Sequence, residues 1–245
     1  MIPAKLLKKY TKKSDYTYTL GAFPTFELLQ NHPEHLKEVI VGSQVKEEIR
    51  EKLERACGQM GIPILENDRA LERVRDKEAC IVAGVLQKYE DCLEEKSSHV
   101  VLVNPGDMGN LGTILRTCAG FGVRNVAVIE PAADLFHPKT LRSSMGALFS
   151  VHWERFASYE AYRDRYGEGR DQYPFMLKGA AALHQLQRQE GRPWSLIFGN
   201  EASGLADSFL DVGQTVLIQH TGLIDSLNLS MAVGIALYEF TKGEI

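Results

Sequence analysis

Apolar residues fall along this chain in two kinds of run, and the difference sorts most of it into strands and helices. Residues 100–103, 125–129, 173–177, 195–198 and 216–218 are short, mostly apolar runs, several of them ending in polar or glycine-bearing stretches. That is the pattern of strands covered on both faces. Between them, 137–148 and 158–166 read as helices and 149–153 as a further short strand. Upstream the alternation is similar: a turn and helix over 21–30, a strand at 38–41, and a helix over 45–60 with charges on its exposed face. A strand at 62–65 follows Gly61, Asp68 caps a helix through Val74, and 80–86 is rich in strand-forming residues. The stretch 89–99, YEDCLEEKSSH, is charged and loses the apolar period, so the chain divides there. The expectation is an α/β protein: a smaller α/β domain over 1–95, and a mostly parallel sheet covered by helices over 96–245.

The last long apolar stretch is different. Leu227, Leu229, Met231, Val233, Ile235 and Leu237 cover more than one face of a helix, and Ala232, Gly234 and Ala236 let another backbone lie close. Ser226 is the expected N-cap. A helix so bare of charge must be buried on most sides, by its own core or by a second copy.

Composition narrows the class without naming a function. Hydrophobic content of 44% and charged content of 24% are those of a soluble globular protein. No apolar run is long enough to span a bilayer and no cleavable signal is evident, so a cytoplasmic protein without a membrane partner is expected. The formal net charge of -4 argues against a general nucleic-acid coat protein. Locally, however, Lys5, Lys8, Lys9, Lys12 and Lys13 precede the first acid, Asp15. Such a run is a mobile, solvated terminus or a phosphate-binding arm. Cys57, Cys80, Cys92 and Cys118 form no CxxC pair, and no metal site is expected from them.

Three of the predicted strands run at once into polar, glycine-bearing loops: 104–112, 199–204 and 219–228. In an open parallel sheet ligands bind beyond the carboxyl ends of strands, so these loops are expected to converge on one pocket. Gly106, Gly109 and Gly112 precede a helix, and Glu130 ends the next strand, as in a dinucleotide site. The GxxGxxG spacing lacks the close first pair of that fingerprint, and a tight strand-to-helix connection accounts for the glycines better.

Asn110-Leu-Gly with Leu115-Arg116-Thr117, then Phe198-Gly-Asn-Glu201 with Gly204-Leu205, then Ser226-Leu-Asn228-Leu-Ser230 with Gly234-Ile235, resemble the three ordered motifs of the SPOUT-class TrmH (SpoU) family. The resemblance covers about the last 150 residues. It implies an S-adenosylmethionine-dependent RNA ribose 2'-O-methyltransferase, with a trefoil knot in the C-terminal domain and pairing into a homodimer. Residues 1–95 more loosely resemble the family's accessory RNA-binding domain, related to a small ribosomal-protein fold, through Gly21 with Glu27 and Leu29 and through Val82-Ala83. On that likeness rRNA is favoured over tRNA as the substrate. The chain has Ile218-Gln219-His220 where relatives commonly have Ile-Pro-Met, and Glu78-Ala79-Cys80 where they often have His-Gln-Gly.

By the resemblance, Arg116, Asn110, Glu201, Ser226 and Asn228 are the catalytic set, and Gly199, Glu201, Ile218 and Leu227 hold the cofactor. Taken singly, each has a plain alternative: Asn110 and Ser226 as helix caps, Glu201 bonding its own loop, Asn228 satisfying a buried carbonyl. The reaction must align a ribose hydroxyl for in-line attack and help remove its proton. An arginine stays protonated, so Arg116 suits a phosphate clamp and alkoxide stabiliser better than a base.

Overall fold

The computed structural model describes residues 7–74, 80–178, 181–187, 189 and 191–243. In chain order the first elements are β1 (Tyr16–Leu20), α1 (Ala22–Asn31), β2 (Leu36–Val41), α2 (Glu47–Met60), β3 (Ile64–Glu66), α3 (Asp68–Val74) and β4 (Val82–Gln87). They are followed by β5 (His99–Val103), α4 (Met108–Gly120), β6 (Asn125–Ile129), α5 (Pro138–Ser143), β7 (His152–Phe156) and α6 (Tyr159–Tyr166). The last are β8 (Asp171–Pro174), β9 (Ala181–Ala182), β10 (Trp194–Phe198), β11 (Val216–Leu217) and α7 (Leu229–Thr241). The chain divides into two compact units, one made of residues up to Glu90 with Asp134–Ser150, the other of Asp91–Ala133 with Val151 onward.

The first unit carries a mixed sheet in the order β1-β4-β2-β3, antiparallel at β1/β4 and β2/β4 and parallel at β2/β3. Strand β1 was not foreseen, although Tyr16–Leu20 alternates aromatic residues with threonine as strands do, because it follows directly on the lysine run. Tyr18 enters the core with Leu7, Ile40, Leu71 and Val85, while Thr17 and Thr19 are buried on the other face. Their hydroxyls are satisfied there: Thr17 donates to the Phe136 carbonyl at 2.6 Å, and Thr19 shares a bond with Thr25 at 2.8 Å. Gly84 is required in β4, since a Cβ there would lie 2.5 Å from the Thr19 hydroxyl.

The expected mobile basic arm is corrected from Leu7 onward; Lys5 lies outside the described residues. Leu7 is buried, the Tyr18 hydroxyl donates to the Lys8 carbonyl at 2.7 Å, and Tyr10 donates to Asp134. Lys8, Lys9, Lys12 and Lys13 remain exposed on this pinned segment. The helix start near Asp68 is also redrawn. Asn67 accepts the Ala70 N–H at 3.0 Å, and Asp68 instead takes the Ser43 N–H at 3.0 Å.

The second unit holds a five-stranded sheet in the order β7-β6-β5-β10-β8, parallel at every pairing. Val101, Ala127, Ile129 and Ile197 pack with Phe156, Tyr159, Tyr162 and Tyr166 into one core. The helix expected over 137–148 is shorter, and the strand expected at 149–153 begins three residues later. Met145 and Gly146 both adopt positive φ (52° and 82°), which ends the helix before a short 3-10 turn at Ala147–Ser150. No helix among the described residues is long and apolar enough to cross a membrane.

Candidate functional site

Parallel pairing puts successive strand ends at one edge of the second unit's sheet. β5 and β10 are neighbours, with Phe198 opposite Leu102, so the loops beginning at Asn104 and Gly199 leave the sheet at nearly the same level. The third loop arrives differently: α7 packs on α4, with Gly234 close enough that an added Cβ would meet Thr117 at 3.8 Å. The three loops expected to converge therefore meet.

Glu201 ties them together. One carboxylate oxygen accepts the Gly106 N–H at 2.9 Å; the other accepts the Asp107 N–H at 3.2 Å and the Asn110 amide at 3.1 Å. These donors are at the start of α4, where unpaired backbone N–H groups and the helix dipole favour an anion. Burial pushes the carboxyl pKa up, but the bonds from Gly106, Asn110 and Asp107 outweigh it and leave Glu201 below its ordinary value. It is thus ionised at neutral pH with both oxygens engaged. Glu201 positions its neighbours and is poorly placed to act as a base.

Asn110 passes the connection on. Its side-chain oxygen accepts from the Asn228 amide at 3.1 Å, and the Asn228 oxygen accepts the Ser230 N–H at 2.9 Å and hydroxyl at 2.7 Å. Asn228 is accordingly the N-cap of α7, which corrects the expected cap at Ser226. Asp107 caps α4 by accepting the Asn110 N–H at 2.8 Å, so Asn110 is left to bridge the loops. Neither Asp107 nor Asn200 was singled out in the sequence. Asn200 donates to the Asn104 carbonyl at 2.8 Å and accepts the Ala202 N–H at 2.9 Å, closing the 199–204 loop. The signal available was its place between Gly199 and Glu201, where an Asx turn is common.

Beside this network lies a cleft of about 440 Å³, within the usual range for a small-molecule site. Gly199, Glu201, Ile218, Ser226 and Leu227 line it, with Phe198, Leu217 and Leu229 supplying apolar wall. Gly199 is obligatory for a reason internal to the chain: a Cβ would fall 2.1 Å from the Gly204 carbonyl carbon and 2.4 Å from the Leu205 nitrogen. One wall is consequently backbone lying against backbone. His220 also lines the cleft, its Nδ1 2.9 Å from the Thr221 carbonyl. Glu130, the candidate ribose acid, instead accepts the Ala132 N–H at 2.8 Å and closes a local turn.

The structure thus joins Asn110, Glu201 and Asn228 in one hydrogen-bonded chain, and sets Gly199, Ile218, Ser226 and Leu227 around the cleft. Arg116 stands apart from both groups. It is exposed on α4, six residues beyond Asn110, and its side chain makes no hydrogen bond or ion pair among the described residues.

A strand-end cleft fastened to a helix N-terminus, on an all-parallel sheet, defines an α/β protein with a small-molecule site at its loop edge. Residues 97–238 match the model of the SpoU rRNA Methylase family, and the chain belongs to that family. It is 30% identical over 159 residues to the 23S rRNA (guanosine(2553)-2'-O)-methyltransferase RlmP of Bacillus subtilis, covering 64% of this chain and 63% of that protein. It is 32% identical over 154 residues to the 23S rRNA (uridine(2479)-2'-O)-methyltransferase of Streptomyces viridochromogenes, covering 60% and 53%. The chain therefore spans between half and two thirds of the length of these curated relatives. In fold it is similar to the SpoU methyltransferase AviRb from Streptomyces viridochromogenes, whose crystal structure is a complex with AdoMet. The TM-score is 0.81 at 23% identity, over 98% of this chain and 96% of that one.

Proposed function

We propose that this protein transfers a methyl group from S-adenosylmethionine to a ribose 2'-hydroxyl of structured RNA, rRNA in preference to tRNA. The observation that carries this reading is the single network in which Glu201 fastens the start of α4 and Asn110 fastens α7, beside an apolar cleft of about 440 Å³. The curated relatives named above are 2'-O-methyltransferases of 23S rRNA, which supports rRNA as the substrate class.

The residues present fit the cofactor. Apolar side chains at Phe198, Leu217 and Leu229 suit a purine face, and the glycine-bearing backbone at Gly199 lets it lie close. Gly199, Glu201, Ile218 and Leu227 are assigned to hold it. When bound there, the cofactor supplies a methyl group already activated by its sulfonium. Asn110, Ser226 and Asn228 fix the substrate side of the cleft, and Glu201 holds Asn110 in place. Arg116, exposed and without a protein partner among the described residues, clamps an RNA phosphate and stabilises the alkoxide that develops as the 2'-hydroxyl attacks the methyl group and the thioether leaves.

The protein acts as a homodimer in this reading, in the cytoplasm, with a trefoil knot in the domain over 96–245 and RNA recognition by 1–95. What supports pairing is the outer face of α7, where Met231, Ile235 and Tyr238 are 59%, 39% and 63% exposed in a helix almost free of charge. A monomeric mass at micromolar concentration would remove the dimer.

The enzyme reading is tested at Arg116. Arg116→Ala is expected to lower single-turnover methyl transfer by roughly a hundredfold or more, with cofactor affinity by calorimetry unchanged. Arg116→Lys recovers little, because an ammonium lacks the planar two-pronged contact. Near-normal transfer by the alanine variant overturns this mechanism.

A further inference from the structure

The end of α1 is linked to β2 by the sequence His32-Pro33-Glu34-His35. Pro33–His35 forms one 3-10 turn with proline at its first position, so the backbone between the two histidines is held. The His32 N–H donates to the Leu28 carbonyl at 2.9 Å, fixing where that turn begins. This cluster lies wholly within the first unit and has no part in the cleft described above.

One ligand-capable atom from each of His32, Glu34 and His35 lies within 4.8 Å of the others. His32 Nδ1 is 3.2 Å and His35 Nε2 is 3.5 Å from the same Glu34 oxygen. Neighbouring ligands of a tetrahedral zinc ion with bonds of about 2.1 Å are separated by roughly 3.4 Å, so two of the three edges already have the required length. Both imidazoles are also partly immobilised. Tyr89 stacks on His35 with ring centroids 4.4 Å apart and planes at 12°, and lies over His32 at 5.0 Å and 32°. Rings held in this way lose less freedom on gathering around an ion. The two histidine side chains are 29% and 28% exposed, enough for an ion to enter and keep a water as a further ligand.

We propose that His32, Glu34 and His35 form a binding site for a divalent transition cation of the zinc class, with two imidazoles and one carboxylate as ligands. Imidazole and carboxylate together suit this class better than magnesium or calcium, which take oxygen ligands. The bound ion joins the end of α1 to the start of β2 and stiffens the surface under Tyr89.

The test is calorimetric titration of chelator-washed full-length protein with Zn²⁺, together with the visible spectrum of the Co²⁺ form. The expected result is one ion per chain with a Kd in the micromolar range or tighter, and a tetrahedral or five-coordinate Co²⁺ spectrum. His32→Ala and His35→Ala should each weaken binding by roughly a hundredfold, and Glu34→Gln, which disturbs packing least, by about tenfold. A Cys80→Ser/Cys92→Ser variant should bind as the parent does. Binding no tighter than millimolar overturns the proposal, as does affinity unchanged in the double histidine variant or lost only with the cysteines. The first of these outcomes leaves the contacts as ordinary hydrogen bonds.

Discussion

The two units are both α/β, yet only one has a sheet in which every strand runs the same way. In the sheet β7-β6-β5-β10-β8 every neighbour is parallel, so each strand delivers its following loop to the same edge. In the sheet β1-β4-β2-β3 the strand β4 runs antiparallel to both of its neighbours, so its end lies at the edge opposite to the ends of β1, β2 and β3. A shared site needs several backbones to arrive together, and parallel strands provide that without further design. The unit with the mixed sheet offers surface: four exposed lysines on a segment pinned by Leu7, Tyr10 and Tyr18.

The most severe way to break the contrast is at Gly199. With an added Cβ 2.1 Å from the Gly204 carbonyl carbon, Gly199→Ala cannot be absorbed by a side-chain rotation. The 199–204 loop must move, and cofactor affinity is expected to fall by more than a hundredfold, with stability reduced by about 3 kcal/mol. Affinity within a factor of three of the parent would show that this wall does not shape the cleft.

A smaller effect is expected at Glu201. Glutamine has one oxygen where the carboxylate has two, so Glu201→Gln sets an N–H against a donor at Gly106 or at Asp107 and Asn110. Losing charge-assisted bonds of this kind costs about 1.5–3 kcal/mol. The same network fixes a pH response. The folded-state pKa is lowered, so Glu201's contribution is complete above the ordinary carboxylate pKa and is lost as pH falls through the folded value. Denaturant midpoints of the parent and the Gln variant should therefore differ most near neutrality and approach each other in acid. A constant gap down to the acid limit would contradict it.

The mildest test concerns the other unit. Replacing Lys8, Lys9, Lys12 and Lys13 by Glu should weaken RNA binding at least tenfold at low salt and flatten its salt dependence, leaving cofactor affinity as it was. RNA affinity that does not change removes this segment from recognition. If cofactor affinity falls as well, the units are less separate in function than their topologies suggest.

How much was legible varied with how local the cause was. The apolar runs marked β5, β6 and β10 because a strand buried on both faces leaves little choice of residue, whereas the run at 173–177 overlaps β8 (Asp171–Pro174) only at Tyr173 and Pro174. β1 was missed because threonines beside a lysine run look like an arm until Phe136 and Thr25 are in place to bond their buried hydroxyls. The ordered motifs carried Asn110, Glu201 and Asn228, but their partners were invisible, since each bond crosses more than 90 residues of chain.

The sequence by itself determined the alternation of strand and helix, the three glycine-bearing loops and the nearly uncharged last helix, all of which follow from side-chain size and polarity at short range. Tertiary structure alone decided that Asp107 caps α4 and Asn228 caps α7, because which side-chain oxygen reaches an open N–H depends on where the backbone turns. It also decided that residues 134–150 pack with the N-terminal unit, and that the Glu201 carboxylate binds Gly106 and Asn110. Long-range pairing selects among locally equivalent options, and it does so through distances that no stretch of sequence contains.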